Sequence, residues 1–509
     1  MVFCGMIILS LIERNAAAMR RALLAAPEKA GAVEVRLDAL PASALSNLPA
    51  LFRGAARPII ATCRRPADHG HFKGSEAERC DLLWAAIRAG ATYVDVEYGT
   101  PAANLAKRLE GSPSIGLIVS HHDWKGMPPD AAGLYRRMAK IKRARAVKIV
   151  GTARRPSDLV KVRDLLRKID RATPPLITFC MGAEGTLSRI MALAWGSWAT
   201  YASAGSGRES APGQLSLPDL LGMYRIEEID DETRLAGIVG TPLGHTLSPA
   251  IHNAGYRADG LNFRYVPLEI TASTGLRELR DLARALRIRG FSVTAPYKIK
   301  MMRHLDVIEP AAKRIGAVNS VLWDGKRLVG LNTDASGGLS ALREALADLG
   351  KTPEGLVVAI VGSGGAARAL AHAVADAGSS VLVASRSLPA GRALAKAVKG
   401  RHVSLGRLSK ERYDVLVNCT PLGMEGAGRQ TDSIADSAIK GLLVYDVVYR
   451  PESTALLTKA RARGIATLGG LEMLVRQAAD QYALFTGRDA PLEEMRSAAR
   501  LELRSGKTG

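Results

Sequence analysis

The chain has 509 residues, 47% hydrophobic and 23% charged, which excludes a disordered chain, a collagen and a coiled-coil rod. At roughly 150 residues per domain the length allows two large domains or three smaller ones. Seventy Lys and Arg against 49 Asp and Glu give a formal charge of +21, a balance that attracts nucleic acid, acidic lipid or small acidic metabolites. The charges are spread over predicted helices with no long basic run, so a basic solvated surface is the plain reading, and neither nucleic acid nor membrane is expected as a partner. Five cysteines (Cys4, Cys63, Cys80, Cys180, Cys419) are widely spaced with no C-x-x-C pair. This predicts neither a disulfide framework nor a metal site, and fits a reduced cytoplasm. The opening MVFCGMIILSLIERN has no basic n-region or small-residue cleavage site and reads as a first buried strand.

Eight short apolar runs rich in Val and Ile follow, at 6–12, 31–37, 57–63, 91–97, 114–121, 145–150, 175–181 and 199–204. Such runs suit strands buried on both faces. Helical stretches lie between them; SEAERCDLLWAAIRAG opens with a capping box, Ser75 and Glu78. Eight strand–helix units in about 225 residues predict a (β/α)8 barrel. A doubly wound open sheet is the alternative.

In a barrel, function gathers where strands end at the carboxyl face. Those ends offer Glu34 and Arg36 (VEVRLD), Arg64, His121 and His122 (SHHDW), Lys148 (AVKIV), Ser188 and Arg189 after strand seven, and the long loop GSGRESAPGQ. Converging cations point to an anionic substrate. Lys148, between Val147 and Ile149, is either a snorkelling edge lysine or a Schiff-base lysine. At an ordinary pKa near 10.4 only about one amine in 2,500 is neutral at pH 7; burial and cationic neighbours raise that fraction. Adjacent His121 and His122 point to opposite faces of a strand, so one alone can carry protons in the site.

Together VEVRLD, CRRPADHGHFKG, SHHDW, AVKIV, GTLSR and SAPGQ resemble type I 3-dehydroquinate dehydratase across nearly all of the first half. The resemblance implies that Lys148 forms an iminium with the ketone of 3-dehydroquinate. His122 would move the C2 proton and help expel the C1 hydroxyl, and Glu34, Arg36, Arg64, Arg189, Ser210 and Gln214 would bind substrate, Arg189 holding the carboxylate. Asp68 stands where the family often has a glutamate, and a shorter carboxylate is expected to orient His122 less well.

The polar segment RIEEIDDETR, about 225–234, marks a boundary. From Leu235 to about Asp334 three βα-like units precede a hairpin, VNSVLWDGKRLVGLNT, with Asp324-Gly325 read as its two-residue turn. A strand from about 356 runs into VGSGGAARA, where Gly362, Gly364 and Ala367 match G-x-G-x-x-A. The glycines permit a tight turn and let a pyrophosphate approach a helix N-terminus, although an ordinary strand–helix turn reads the same way. Further strands are predicted at 380–384, 414–418 and 441–445, and the helices after Gly469 are expected to fold back on the earlier region. Where an NAD site usually offers Asp or Glu, this chain has Ser385-Arg386-Ser387, which suits the 2′-phosphate of NADP. A solvated arginine at a helix start is the alternative. Lys298, after a Thr-Ala-Pro turn, and Asp334, closing GLNTD, are candidates for a proton-supplying pair.

The stretches GIVGTPLGHTLSPAIHN, GFSVTAPYK, GAVNSV, GLNTD, VGSGGAARA, NCTPLGM, VYDVVYRPESTALL and GGLEMLVRQAADQYALFTG resemble shikimate dehydrogenase almost end to end. The resemblance implies Lys298 and Asp334 as the catalytic pair, and Thr246, Ser248, Thr294, Asn319, Tyr449 and Gln477 as substrate ligands. NADP would be held by Gly362, Ser363, Gly364, Gly365, Ala366, Ser385, Arg386, Ser387 and Thr420. Thr246 stands where a serine is usual, and Ser292 where an asparagine is usual.

The expected fold is α/β: a barrel over 1–226, then a two-lobed dehydrogenase. Its substrate lobe would span 233–334 and be completed by about 470–509, with a Rossmann-type lobe over 335–469. The expected partners are small anions: 3-dehydroquinate, 3-dehydroshikimate and shikimate. The rivals are a quinate/shikimate dehydrogenase with a vestigial barrel, and a quinate-sensing regulator reusing both folds. The regulator predicts degraded catalytic residues, whereas Lys148, His122, Lys298 and Asp334 are all present.

Overall fold

The computed structural model describes residues 5–100, 105, 115–169, 173–424 and 434–505. They form two compact units: one runs to Thr233 and takes in Val266–Leu286, and the other comprises Arg234–Tyr265 with the chain from Arg287 onward.

The first unit carries eight parallel strands: β1 (Met6–Leu11), β2 (Ala32–Arg36), β3 (Ile59–Thr62), β4 (Tyr93–Glu97), β5 (Gly116–Asp123), β6 (Ala144–Thr152), β7 (Leu176–Met181) and β8 (Ala199–Ser203). Sequence neighbours pair from β1 through β7, and β8 pairs with β1. Between β7 and β8 one backbone bond, Trp198 N–H to Leu176 O at 2.8 Å, stands in for a ladder, so the barrel is nearly closed. The capping box is formed as expected: Ser75 and Glu78 satisfy each other's backbone N–H at the start of the helix Glu76–Arg88.

The barrel interior follows from the two-residue period of a strand. Ile8, Ala32, Ile60, Ile118, Ala146, Ile177 and Ala199 form an apolar layer. Two residues on, each strand presents a second layer: Ser10, Glu34, Thr62, Asp95, Ser120, Lys148, Phe179 and Tyr201, all buried. Register fixes who meets whom: Ser10 lies opposite Glu34, Thr62 opposite Asp95, and Ser120 opposite Lys148. A packed floor thus carries a charged layer facing the carboxyl end.

Beyond the barrel the chain forms two further sheets. The first comprises β9 (Arg234–Gly240), β10 (Phe263–Glu269), β11 (Ile288–Val293), β12 (Val307–Ile308), β13 (Ser320–Asp324) and β14 (Arg327–Leu331), in the order β10-β9-β11-β13-β14-β12. In the β13–β14 hairpin Asp324 pairs with Arg327, so the two-residue loop is Gly325-Lys326, one residue later than Asp324-Gly325. Of the two, Gly325 alone has a positive φ, +59°, which suits a turn with glycine at its first central position. Asp324 instead ends the strand.

The other sheet comprises β15 (Val357–Val361), β16 (Ser380–Ser385), β17 (Arg401–Ser404), β18 (Val415–Asn418), β19 (Leu443–Asp446) and β20 (Ala466–Gly469). All are parallel, in the order β17-β16-β15-β18-β19-β20. Counted from β15 this is the 3-2-1-4-5-6 order of a Rossmann fold, with its switch point between β15 and β18. Apolar clusters cover both faces, around Leu342, Leu370 and Val374 on one and Leu408, Leu457 and Ala460 on the other. The helices Gly470–Thr486 and Leu492–Arg504 fold back as expected: Leu471, Val475, Tyr482 and Met495 share a core with Ile251 and Tyr256 of the helix Ser248–Ala258.

Candidate active sites

The barrel mouth holds a cavity of about 500 Å³. Its lining includes Lys148, His122, Glu34, Arg36, Arg64, Arg189, Ser210 and Gln214, so the eight residues to which the resemblance gave roles in the first half are brought together. His121, its neighbour on β5, does not line it, as strand alternation requires. Ser188 and Arg189 lie on a helix, Thr186–Met191, rather than in a loop. Ser188 turns inward, donating to Gly185 O at 2.6 Å and accepting from Cys180 N at 2.8 Å, so it braces the turn and leaves the cavity to Arg189.

The charges in this layer are wired unequally. Arg64 reaches Asp95 at 3.1 Å and Glu97 at 2.9 Å, and Arg36 chelates Asp38 at 2.9 and 2.8 Å. Lys148 Nζ donates to Asp95 at 3.1 Å and lies over the Tyr201 ring, 4.1 Å from its centre. Burial alone would push the Asp95 carboxyl up; Arg64, then Lys148, overcome this and hold it below the usual range. Arg189 differs from the other arginines. It is 1% exposed, contacts the Pro212 carbonyl at 3.3 Å and the Phe179 face, and among the described residues meets no carboxylate; its Nε has no partner there. Burial pulls its pKa down to about 10. A buried cation without an anion is costly unless a ligand supplies one.

His122 is held neutral: burial first, then Arg64 and Lys148, lower its pKa well below the ordinary value. Its buried Nδ1 has no hydrogen-bond partner. Asp68 lines the same cavity, but its carboxylate is taken by Arg65 at 2.7 Å. Glu34 is fixed by hydroxyls, Ser10 at 2.5 Å and Thr62 at 2.9 Å, and the Ser10 oxygen also lies 2.9 Å from the Ser210 hydroxyl. The Ser210 backbone N–H in turn donates to Gln214 at 2.7 Å. Ser10, Asp95, Ser120 and Tyr201 are not at strand ends, where the candidates were sought. The signal was YVDVE in β4: two carboxylates on one interior face of a buried strand require cations.

In the second unit a cleft of about 700 Å³ is lined by Lys298, Asp334, Thr246, Ser248, Thr294, Asn319, Tyr449 and Gln477, again all eight candidates. Lys298 Nζ meets Asp334 Oδ2 at 2.5 Å. Asp334 sits in the first turn of the helix Thr333–Ala347, where the helix dipole favours a carboxylate. Asn319 donates to the other Asp334 oxygen at 2.9 Å and reaches Gln477 at 3.2 Å, joining the pair to the helix Gly470–Thr486. Thr246 and Ser248 hydroxyls touch at 3.3 Å, so the added methyl of Thr246 leaves its oxygen in place. Ser292, also in the lining, bonds to Gln481 at 2.7 Å and to the Tyr265 hydroxyl at 2.5 Å.

A larger cavity, about 1070 Å³, opens at the switch point of the parallel sheet. Gly362, Ser363, Gly364, Ser385, Arg386, Ser387 and Thr420 line it. Gly362 has φ +118°, and a Cβ there would press on Thr420 and Cys419, while nothing lies within 4 Å of a Cβ at Gly364. This leaves an open backbone cradle at the N-terminus of the helix Gly365–Asp376, shaped for a phosphate. Ala366 faces the Lys298 cleft, and a Cβ at Gly365 would lie 3.4 Å from the Lys298 side chain. Arg386 and Ser387 are exposed. Ser385 is not free to donate outward: its hydroxyl donates to Ser387 O at 2.9 Å and lies 3.2 Å from His402 Nε2. Thr420 is set by Asn418, which Asp446 holds at 2.9 Å. Among the described residues no metal-ligand cluster is found and no helix is long and apolar enough to cross a membrane.

Comparison with known proteins agrees with this geometry. A profile for type I 3-dehydroquinase matches residues 7–231, one for the shikimate dehydrogenase substrate-binding domain matches 238–321, and one for the shikimate 5′-dehydrogenase C-terminal domain matches 470–500. The chloroplastic bifunctional 3-dehydroquinate dehydratase/shikimate dehydrogenase of Arabidopsis thaliana is 34% identical over 481 residues, covering 91% of this chain and 78% of the relative. A shikimate dehydrogenase (NADP(+)) of Geobacter sp. strain M21 is 42% identical over 276 residues, covering 52% of this chain and 93% of the relative. A crystal structure of a shikimate dehydrogenase in complex with NADP+ superimposes with a TM-score of 0.51 at 32% identity, covering 54% of this chain and 97% of that one. A barrel with a buried lysine, a dehydrogenase cleft beside a Rossmann sheet, and a relative spanning both place the chain in the bifunctional 3-dehydroquinate dehydratase/shikimate dehydrogenase family.

Proposed function

We propose that the first unit dehydrates 3-dehydroquinate to 3-dehydroshikimate and the second reduces that ketone to shikimate with NADPH. The observation that carries this reading is the pairing, in one cavity, of Lys148 with an arginine that, among the described residues, has no anion of its own. A substrate bearing both a ketone and a carboxylate satisfies both groups. Lys148 supplies the nitrogen for a Schiff base, and Arg189 takes the carboxylate. The neutral imidazole of His122 accepts the α proton and returns it to the departing hydroxyl. Glu34, Arg36, Arg64, Ser210 and Gln214 bind the ring hydroxyls.

In the second unit Lys298 gives a proton to the carbonyl oxygen, Asp334 holds the ammonium in place, and Thr246, Ser248, Thr294, Asn319, Tyr449 and Gln477 position the ring. The turn from Gly362 to Ala366 and Thr420 suits a pyrophosphate, and Arg386 with Ser387 suits a 2′-phosphate; NADPH bound there supplies the hydride. Three lobes account for this division: a barrel over 1–226, a substrate lobe over 233–334 completed by about 470–509, and a nucleotide lobe over 335–469. The free thiols Cys63 and Cys180 suit a reducing cytoplasm.

Purified protein given 3-dehydroquinate and NADPH should form shikimate. Lys148→Ala should stop dehydration and still reduce added 3-dehydroshikimate. Shikimate formation by the variant from 3-dehydroquinate would overturn the assignment.

A further inference from the structure

Asp95 lies at the centre of the charged layer, wholly buried. Its Oδ2 accepts from Lys148 at 3.1 Å, and its Oδ1 from Arg64 at 3.1 Å and from the Ser120 hydroxyl at 2.6 Å. Arg64 has a second carboxylate, Glu97, whereas among the described residues Lys148 has Asp95 alone. The other titratable groups around the pair are Arg64 beyond β3, Glu97 on β4, His122 on β5, Tyr201 on β8 and Glu34 on β2. An ion pair aimed at the nucleophile needs explaining, because it opposes release of the amine.

Charge bookkeeping resolves this. When Lys148 adds to the ketone, a nitrogen–carbon bond forms and both bonds from that carbon to oxygen break in turn. Two of the three ammonium protons leave with the oxygen as water, and one stays on the iminium nitrogen with the positive charge. The charge beside Asp95 is therefore the same before and after. When the α proton moves to His122, the positive charge moves to a group that also lies in the field of Asp95. When the ring hydroxyl departs and takes that proton as water, the enamine electrons follow and the charge returns to nitrogen.

We infer that Asp95 is the counter-ion of the Lys148 iminium, the fixed negative charge that keeps the imine nitrogen protonated while the α proton and the hydroxyl are lost. This rests on the Schiff-base reading of Lys148. A deprotonated imine is a poor electron sink, so a missing counter-ion is felt most where protons are scarce. Ser120 holds the carboxylate toward Lys148 and is a positioning residue for it.

The test is the pH profile of dehydration in Asp95→Asn and Asp95→Glu. Asn should lose turnover, with at least about tenfold more lost at pH 9 than at pH 6, as an alkaline limb displaced by one pH unit requires. KM should change little, and Glu should restore the shape of the profile. Should Asp95→Asn fail to fold, Ser120→Ala keeps the charge and should move the alkaline limb the same way by less. A loss equal at every pH, or none, overturns the counter-ion. Borohydride with 3-dehydroquinate separates the two readings. No adduct at Lys148 of the wild type sinks the Schiff base; an adduct with an unmoved limb in the variants sinks the counter-ion alone.

Discussion

Arg189 permits a prediction in which activity and stability move in opposite directions. The side chain is 1% exposed, carries a full charge and, among the described residues, meets no carboxylate. Burial pulls its pKa from the ordinary guanidinium range down to about 10. At about 1.4 kcal/mol per pH unit, that fall means holding the charge costs the folded barrel about 3 kcal/mol at neutral pH. The sign follows from the proton count. Between the folded and unfolded values the unfolded chain binds the extra proton, so stability rises with pH from about 10 upward, and the full cost is present below that. Arg189→Met removes the charge and keeps most of the volume. It loses the contact with the Phe179 face and one long hydrogen bond to Pro212, together about 1–2 kcal/mol. The net is a barrel as stable as before, or more stable by up to about 2 kcal/mol.

Catalysis should suffer. A substrate carboxylate left buried beside methionine forfeits a charge-assisted pair, about 2–5 kcal/mol, or roughly 30- to 5,000-fold in kcat/KM. The loss should fall mainly on KM, because the carboxylate does not change charge during dehydration. Steady-state dehydration and thermal unfolding of the same variant check both halves. A variant within threefold of wild type, or one clearly less stable, would refute the reading of Arg189 as a cation buried in advance for its ligand.

His122→Ala should lower dehydration about 10²–10⁴-fold with His121→Ala near normal; the reverse order would move the proton carrier to the other histidine. Because His122 is held neutral well below the ordinary value, the acid limb it gives to kcat/KM should lie below pH 6.5, and a limb at 6.5 contradicts the burial argument. Lys298→Ala and Asp334→Ala should each cut reduction strongly and the double variant little further, since the two share one 2.5 Å contact; multiplicative losses would show independent roles. Arg386→Ala should cost NADPH about 10- to 150-fold and leave NADH nearly unchanged, which the ratio of specificity constants reads directly. Since Arg386 is exposed, the KM for NADPH should also rise with salt more steeply than the KM for 3-dehydroquinate.

How far the sequence reached depended on what each residue's neighbours had to be. Eight barrel strands were legible because strands buried on both faces must be continuously apolar. The edge strands β17 and β20 were not: RHVS and ATLG are mostly exposed or half-buried and need no apolar run. Lys148 stood out as a cation between apolar neighbours, and Arg189 by its place after strand seven. Asp95 did not, because its meaning lies in β3, β5 and β6, and only the register brings Thr62, Ser120 and Lys148 around it. The hairpin was legible from Asp-Gly, but the same dipeptide fits a turn one residue either way, and only pairing decides. Ser385 read as a phosphate donor because its type and place allow it; the backbone of Ser387, two residues on, claims that hydrogen.

The two units solve one problem, holding a small polyhydroxylated anion, with different treatments of charge. In the barrel the cations lie in a layer just above an apolar floor, so their field is little screened and each must be matched: Arg64 by Asp95 and Glu97, Arg36 by Asp38, Lys148 by Asp95. Arg189 is the exception, which is why the substrate carboxylate is proposed to sit there. In the dehydrogenase cleft Lys298 keeps 23% of its side chain exposed and has its carboxylate in place, so little electrostatic cost is stored before substrate arrives. The difference follows the chemistry proposed for each. A dehydration through an iminium moves a positive charge between two nitrogens of the enzyme, which favours a fixed, dry array. A reduction ends with one proton passing from a lysine to an oxygen, and a lysine open to water can be reprotonated for the next turnover.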